Sequence, residues 1–329
     1  MIITQAIVHI LDKNTGNLLL SQEGLDLSQP NLVDYLTKLN EKVQKADPKH
    51  GQIEAESELA LFLRDPSQSF IEKSHILAEK LFNLIAPAEE IPAADYLFFQ
   101  ASPSIIGILR LDYSSKFTHF LEQDGDSVVN TIIMNHAILP TGGQTPSEAF
   151  VLDLDSLTYQ LLEKKYIIEG KRQNYFSQQF LEIPTTSSTK EQIKEIKKTV
   201  SHVAKKFNEE DYVALATTQQ VIYQQLEEND HINAGQVFEQ VFKENPLAKE
   251  ASLQAIQEEK VAPTIPVHNP AKYERKYSKQ KFKLANGIEI TIPSQVYDDK
   301  EIIEFLNNPD GSISVLIKNI DSIMNRFNG

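Results

Sequence analysis

The sequence predicts an α+β protein: an N-terminal antiparallel sheet with packed helices, a helical middle region, and a small β-rich C-terminal domain. Three observations carry that expectation. Short apolar runs punctuated by turn residues fill much of the first 153 residues, helical spacing dominates from about 171 to 260, and hairpin signals return after the stretch 261–270. At 329 residues the chain is too long for one small core. The expected boundaries are 1–170 for the α+β domain, 171–260 for the helical region, 261–271 for a proline-rich linker and 272–329 for the β-rich domain.

Residues 2–11 and 17–23 read as a strand pair, because Asp12-Lys13-Asn14-Thr15-Gly16 between them is turn chemistry with a glycine free to take positive φ. After Pro30, Leu32, Val33, Leu36, Leu39 and Val43 recur at helical spacing, and Asp47-Pro48 stops the helix. Further helices are expected over 54–64 and 67–86, the second turning Phe70, Ile71, Ile76, Leu77, Leu81 and Leu84 inward. The apolar runs 96–99, 105–109, 118–121, 131–133 and 150–152 suggest an antiparallel meander, with the helices of 30–86 packed on one face. Helices are then expected at 172–182, 188–207, 209–228, 233–243 and 246–259, with Ser188 or Thr189 and Asn233 as N-caps. The three prolines of 261–270 exclude a helix interior there. Two hairpins close the chain, 280–292 around Asn286-Gly287 and 301–318 around Asn308-Pro309-Asp310-Gly311.

Composition narrows the function classes. The absence of cysteine excludes disulfides and thiolate metal sites. Residues 1–10 read as a first strand and not a signal peptide, and no run approaches the ~18 apolar residues that span a bilayer. A soluble, cytoplasmic protein is the expectation. The eight histidines lack metal-ligand spacing, and His9 reads as a satisfied, partly buried side chain. There is no Walker loop, no G-x-G-x-x-G after a strand, no G-x-S-x-G and no H-E-x-x-H, so no catalytic residue, metal or cofactor is assigned. One short pattern offers an alternative. Asp153 at a strand end, followed by Glu163 and Lys165, matches an arrangement in which two carboxylates hold Mg²⁺ and a lysine steadies the attacking water of a nuclease.

The net charge of −14 opposes a polyanionic partner at long range, so the local distribution of charge decides what the chain can bind. The richest segment is Lys272-Tyr273-Glu274-Arg275-Lys276-Tyr277-Ser278-Lys279-Gln280-Lys281-Phe282-Lys283, with six basic residues, one acidic residue and three aromatics. Lys272, Arg275, Lys276, Lys279, Lys281 and Lys283 could neutralise phosphates while the aromatics stack on bases or pack on sugars. The bland alternative is a solvated strand edge. A second candidate is Lys171 and Arg172, after Gly170 at an expected helix start, where free N–H groups attract anions. The lysines of 190–206 alternate with Glu191 and Glu195, at i,i+3 from Lys194 and Lys198, and read as an ordinary exposed helix.

Taken in order, these pieces resemble the bacterial nucleoid-associated proteins of NdpA type. The resemblance rests on Ile7-Val8-His9-Ile10-Leu11, on Ala149-Phe150-Val151-Leu152-Asp153-Leu154, on the run from Ile168 through Gly170-Lys171-Arg172-Gln173-Asn174-Tyr175-Phe176 to Leu181, and on Gly287-Ile288-Glu289-Ile290-Thr291-Ile292. It spans essentially the whole chain. It implies a cytoplasmic protein at the nucleoid that associates with DNA, directly or through a chromosome-associated protein partner, and it transfers no contact residues. A homodimer is expected, because doubling a basic patch raises avidity without a new contact type.

Overall fold

Strands β1 (Ile2–Asp12) and β2 (Asn17–Leu19) form the expected hairpin, with Gly16 at φ 74° in the turn. They lead into α1 (Pro30–Lys45), β3 (Lys49–Gln52), α2 (Glu58–Arg64) and α3 (Phe70–Ile85). The starts of α2 and α3 are set by serine caps: Ser57 accepts from the Ala60 N–H, and Ser69 forms a reciprocal capping box with Glu72. Next come β4 (Ala94–Ser102), β5 (Ile105–Asp112), β6 (Ser114–Asp124), β7 (Ser127–Ile138), β8 (Ala149–Asp153), β9 (Thr158–Leu162), β10 (Tyr166–Ile168) and β11 (Lys171–Gln173). Seven of these strands make one antiparallel sheet in the order β2-β1-β4-β5-β8-β9-β3. The computed structural model describes residues 1–124, 127–168, 170–184, 186–322 and 324.

Helices cover both faces of the sheet, where the sequence suggested one. Leu36, Leu39 and Val43 of α1 pack with Leu97, Phe99, Leu109 and Val151. Leu77, Leu81 and Ile85 of α3 pack on the opposite face with Ile7, Tyr96, Phe98, Ile108 and Phe150. This is why β4 and β5 read as unbroken apolar runs and not as alternating ones: successive side chains enter different cores. Close packing also fixes Gly107, opposite Phe99 in the register, where a Cβ would overlap the Phe99 ring.

Two further expectations are corrected. Segments 118–121 and 131–133 do not join the sheet; β5 pairs directly with β8, and β6 and β7 leave as a separate two-stranded ribbon. Gly125 and Asp126 lie outside the described residues. Nor does a helix cover 172–182. Lys171–Gln173 pairs with Tyr166–Ile168 around Gly170, whose φ of 75° suits a tight turn, and a single π-helical turn, Phe176–Leu181, follows. Phe176, Phe180 and Leu181 are drawn into the core beneath the sheet, and Glu182 ends the turn at φ 53°.

The chain divides into compact units at Met1–Ser188 and Thr189–Gly329, whereas the sequence suggested boundaries at 170, 260 and 271. The second unit holds α4 (Thr189–Lys206), α5 (Asp211–Glu228), β12 (His231–Asn233), α6 (Ala234–Val241) and α7 (Pro246–Glu258), at nearly the expected positions. Asn233 caps α6 by accepting from the Gln236 N–H. The proline-rich stretch does not run free. Its β13 (Thr264–Pro266) pairs with β12, and Val261, Ile265 and Val267 are buried with Ile196, Val200 and Ile222. Proline forbids a helix but permits a two-stranded edge, and alternate apolar residues then anchor the segment. The chain continues through α8 (Pro270–Tyr277), β14 (Lys279–Lys283), β15 (Glu289–Pro293), β16 (Ile303–Asn307) and β17 (Ile313–Ile317), the last four forming the two expected hairpins.

Candidate nucleic-acid interface

The basic run is realised on two elements with different periodicities. Asn269 accepts from the Lys272 N–H and Pro270 occupies the first turn, which starts α8 at the end of the stretch whose prolines suggest a linker. On α8, Tyr273 and Tyr277 face inward and stack at 6.2 Å, while Lys272, Arg275 and Lys276 are exposed at i, i+3 and i+4. Lys276 lies over both rings, 5.6 Å from Tyr273 and 5.2 Å from Tyr277.

Along β14 the period falls to two. Gln280 is buried and donates to the Ala216 carbonyl at 3.1 Å, and Phe282 stacks on Tyr297 at 5.9 Å. Lys279, Lys281 and Lys283 are therefore exposed on the opposite side, about 7 Å apart. None of the three has an ion-pair partner among the described residues. The register places Pro293, Thr291 and Glu289 beside them, so one acidic residue stands at the Lys283 end.

A residue outside the run joins this surface. Lys197 of α4 sits 4.7 Å over the Tyr277 ring, half-buried; its burial, and then the Lys276 charge, pull its ammonium below the ordinary lysine value. Spacing on α4 groups Lys197 with lysines that pair on their own helix. That holds for Lys198, 3.0 Å from Glu195, but not for Lys197, which tertiary packing turns toward α8. Lys197, Lys281, Tyr212 and Phe282 line a cleft of about 250 Å³, and Tyr212, Lys281, Lys283 and Phe305 line an adjoining one of about 390 Å³. Cationic and aromatic side chains thus share one recess.

Lys171 and Arg172 are both exposed on β11, not at a helix start, so no helix N-terminus stands behind them. Glu169 lies outside the described residues. The nuclease pattern is dispersed. Asp153 and Glu163 flank opposite ends of the β8–β9 pair, with Ala149 opposite Leu162, which separates them by about 17 Å of strand. Each has a structural partner: Asp153 accepts from Ser104 and the Asp155 N–H, and Glu163 pairs with Lys49 at 2.9 Å and accepts from the Ser177 N–H. Among the described residues no group of acidic residues and histidines is placed to hold a metal ion, and no helix is long and apolar enough to cross a membrane.

A contrasting concentration of charge lies inside the first unit. Arg110 is fully buried on β5 and donates to Asp112 at 2.7 Å, to the Tyr96 hydroxyl at 2.9 Å, to the Pro92 carbonyl at 2.6 Å and to Glu148 at 3.4 Å. Tyr175 donates to the same Glu148 oxygen at 2.5 Å, and the other oxygen, buried, has no hydrogen-bond partner among the described residues. Burial raises the Glu148 carboxyl above its ordinary value, with Arg110 opposing. The network ties β4, β5, the start of β8 and the π-helical turn together.

Residues 7–325 match a family model described as nucleoid-associated protein YejK. No curated protein matches the chain.

Proposed function

Because the chain belongs to the family of nucleoid-associated protein YejK, we propose that it works in the cytoplasm at the nucleoid as a DNA-binding architectural protein. Lys272, Arg275, Lys276, Lys279, Lys281 and Lys283, joined by Lys197, make the contacting surface. The observation that carries this reading is the outward-facing row Lys279, Lys281 and Lys283, backed by a buried row and without ion-pair partners among the described residues. Their spacing of about 7 Å equals two phosphate rises along one DNA strand, so the row suits backbone contacts that carry little sequence information. Lys171 and Arg172 supply a smaller, second contact, and a homodimer doubles both.

Replacing Lys276, Lys279, Lys281 and Lys283 by Glu is expected to weaken binding to all sequences alike. It should also flatten the plot of log K against log salt by about 0.9 for each phosphate that the variant no longer neutralises. Unchanged retention on DNA at low salt overturns the assignment. The net charge of −14 favours a second reading, recruitment by a chromosome-associated protein partner whose acidic surface meets the same lysines. Gel shifts with purified protein, set against pull-downs from nuclease-treated lysate, separate the two.

A further inference from the structure

The β6–β7 ribbon is built in a way that the DNA surface does not explain. Its strands are eleven and twelve residues long, yet among the described residues they pair only with each other. A lone two-stranded ribbon is marginal in water, and uncovered apolar strands invite unwanted pairing. The register puts Phe117 opposite Met134, His119 opposite Ile132, Leu121 opposite Asn130 and Gln123 opposite Val128, so these eight residues share one face. All eight are exposed, Phe117 and Ile132 by 72% each, and five of them are large and apolar.

We propose that this face is the interface with a second copy of the chain, the two ribbons packed face to face and antiparallel about a two-fold axis. With on the order of 100 Å² open on each residue, one face offers about 800 Å², which is the share each partner gives to a standard interface. The charge of the chain fixes the direction. A parallel pair would bring two acidic bodies together at the roots of the ribbons, whereas an antiparallel pair holds them at opposite ends. Elsewhere the charge of −14 drives copies apart, which leaves this nearly neutral apolar face as the place where they meet. The inference rests on the dimer reading above but not on DNA binding.

Sedimentation of the full chain at tens of micromolar is expected to give a dimer, and the double variant Phe117→Glu, Ile132→Glu a monomer with unchanged circular dichroism. As a second variant, residues 116–136 can be replaced by Asn-Gly; Ser114 already faces Ile138, and β5 and β8 pair without the ribbon, so this chain should fold and sediment as a monomer. A folded variant that stays dimeric overturns the ribbon interface alone, whereas a monomeric wild type overturns the dimer reading with it. Because the chain has no cysteine, single substitutions report direction. Gln123→Cys mixed with Phe117→Cys should form a disulfide between copies, and each variant alone should not; the reverse pattern overturns the antiparallel order. DNA retention, read on the same variants, falls as avidity is removed and is not abolished.

Discussion

The two units use charge in opposite ways. In the first, Arg110 and Glu148 are both fully buried, and Lys49 and Glu163 nearly so. Every one of these charges is held by partners from distant strands. In the second, Lys279, Lys281 and Lys283 stand in water on a strand whose other side is packed. Burying a charge is tolerable only when hydrogen bonds and an opposite charge replace water, which fixes the position and consumes the binding capacity of the group. An exposed, unpaired ammonium keeps that capacity. The comparison explains how an acidic protein can present an exposed cationic row, the one proposed to meet DNA phosphates: many of its charges are committed internally or to surface pairs, and a few cations are left outward on a rigid backing.

Breaking the buried network tests the contrast most severely. Glu148→Ala leaves the buried Arg110 with Asp112 as its remaining carboxylate and takes the acceptor from Tyr175, and is expected to cost about 3 kcal/mol in urea denaturation, whereas Arg110→Met with Glu148→Leu should cost far less. Equal losses from the single and the double change would show that the ion pair is not the reason for the cost. A second effect comes from His9. It is buried, its Nδ1 accepts from the Ser21 N–H at 3.1 Å, and its Nε2 lies 2.9 Å from the Ser74 hydroxyl, which fits a neutral ring protonated at Nε2. Burial, and then His75, lower its pKa from 6.5 to about 4. The folded state thus resists a proton that the unfolded state accepts, so stability is complete above pH 6.5 and is lost as pH falls toward 4, by about 3 kcal/mol. His9→Gln should flatten the urea midpoint across that window, and an unchanged slope would remove His9 as the cause. The smallest effect belongs to the exposed row. Lys279→Ala, Lys281→Ala and Lys283→Ala should each change stability by no more than about 0.5 kcal/mol while weakening DNA binding. A loss of several kcal/mol from any one would mean that these lysines serve the fold.

Much of the secondary structure was legible because local rules set it. The helical spacing of Leu36, Leu39 and Val43, the Asn233 cap and the Asn286-Gly287 turn all act within a few residues, and the structure places elements there. Helix α8 was legible in principle, since Asn269-Pro270 is a helix start, but the neighbouring prolines masked it. The expected helix after Gly170 failed for a different reason. Tyr175, Phe176, Phe180 and Leu181 have helical spacing, yet only one π-helical turn fits where they enter the core.

Of the candidate interface, the sequence determined the charge run itself and the alternation that exposes Lys279, Lys281 and Lys283, because strand periodicity follows from the backbone alone. It also determined that the chain lacks cysteine chemistry. Only the tertiary structure decided that Lys197 joins the surface, that Asp153 and Glu163 stand apart, that helices cover both faces of the sheet, and that 118–121 and 131–133 leave it as a ribbon. Each of these depends on which segments meet across tens of residues, and pairing of that range is set by the packing of whole faces, not by neighbours along the chain.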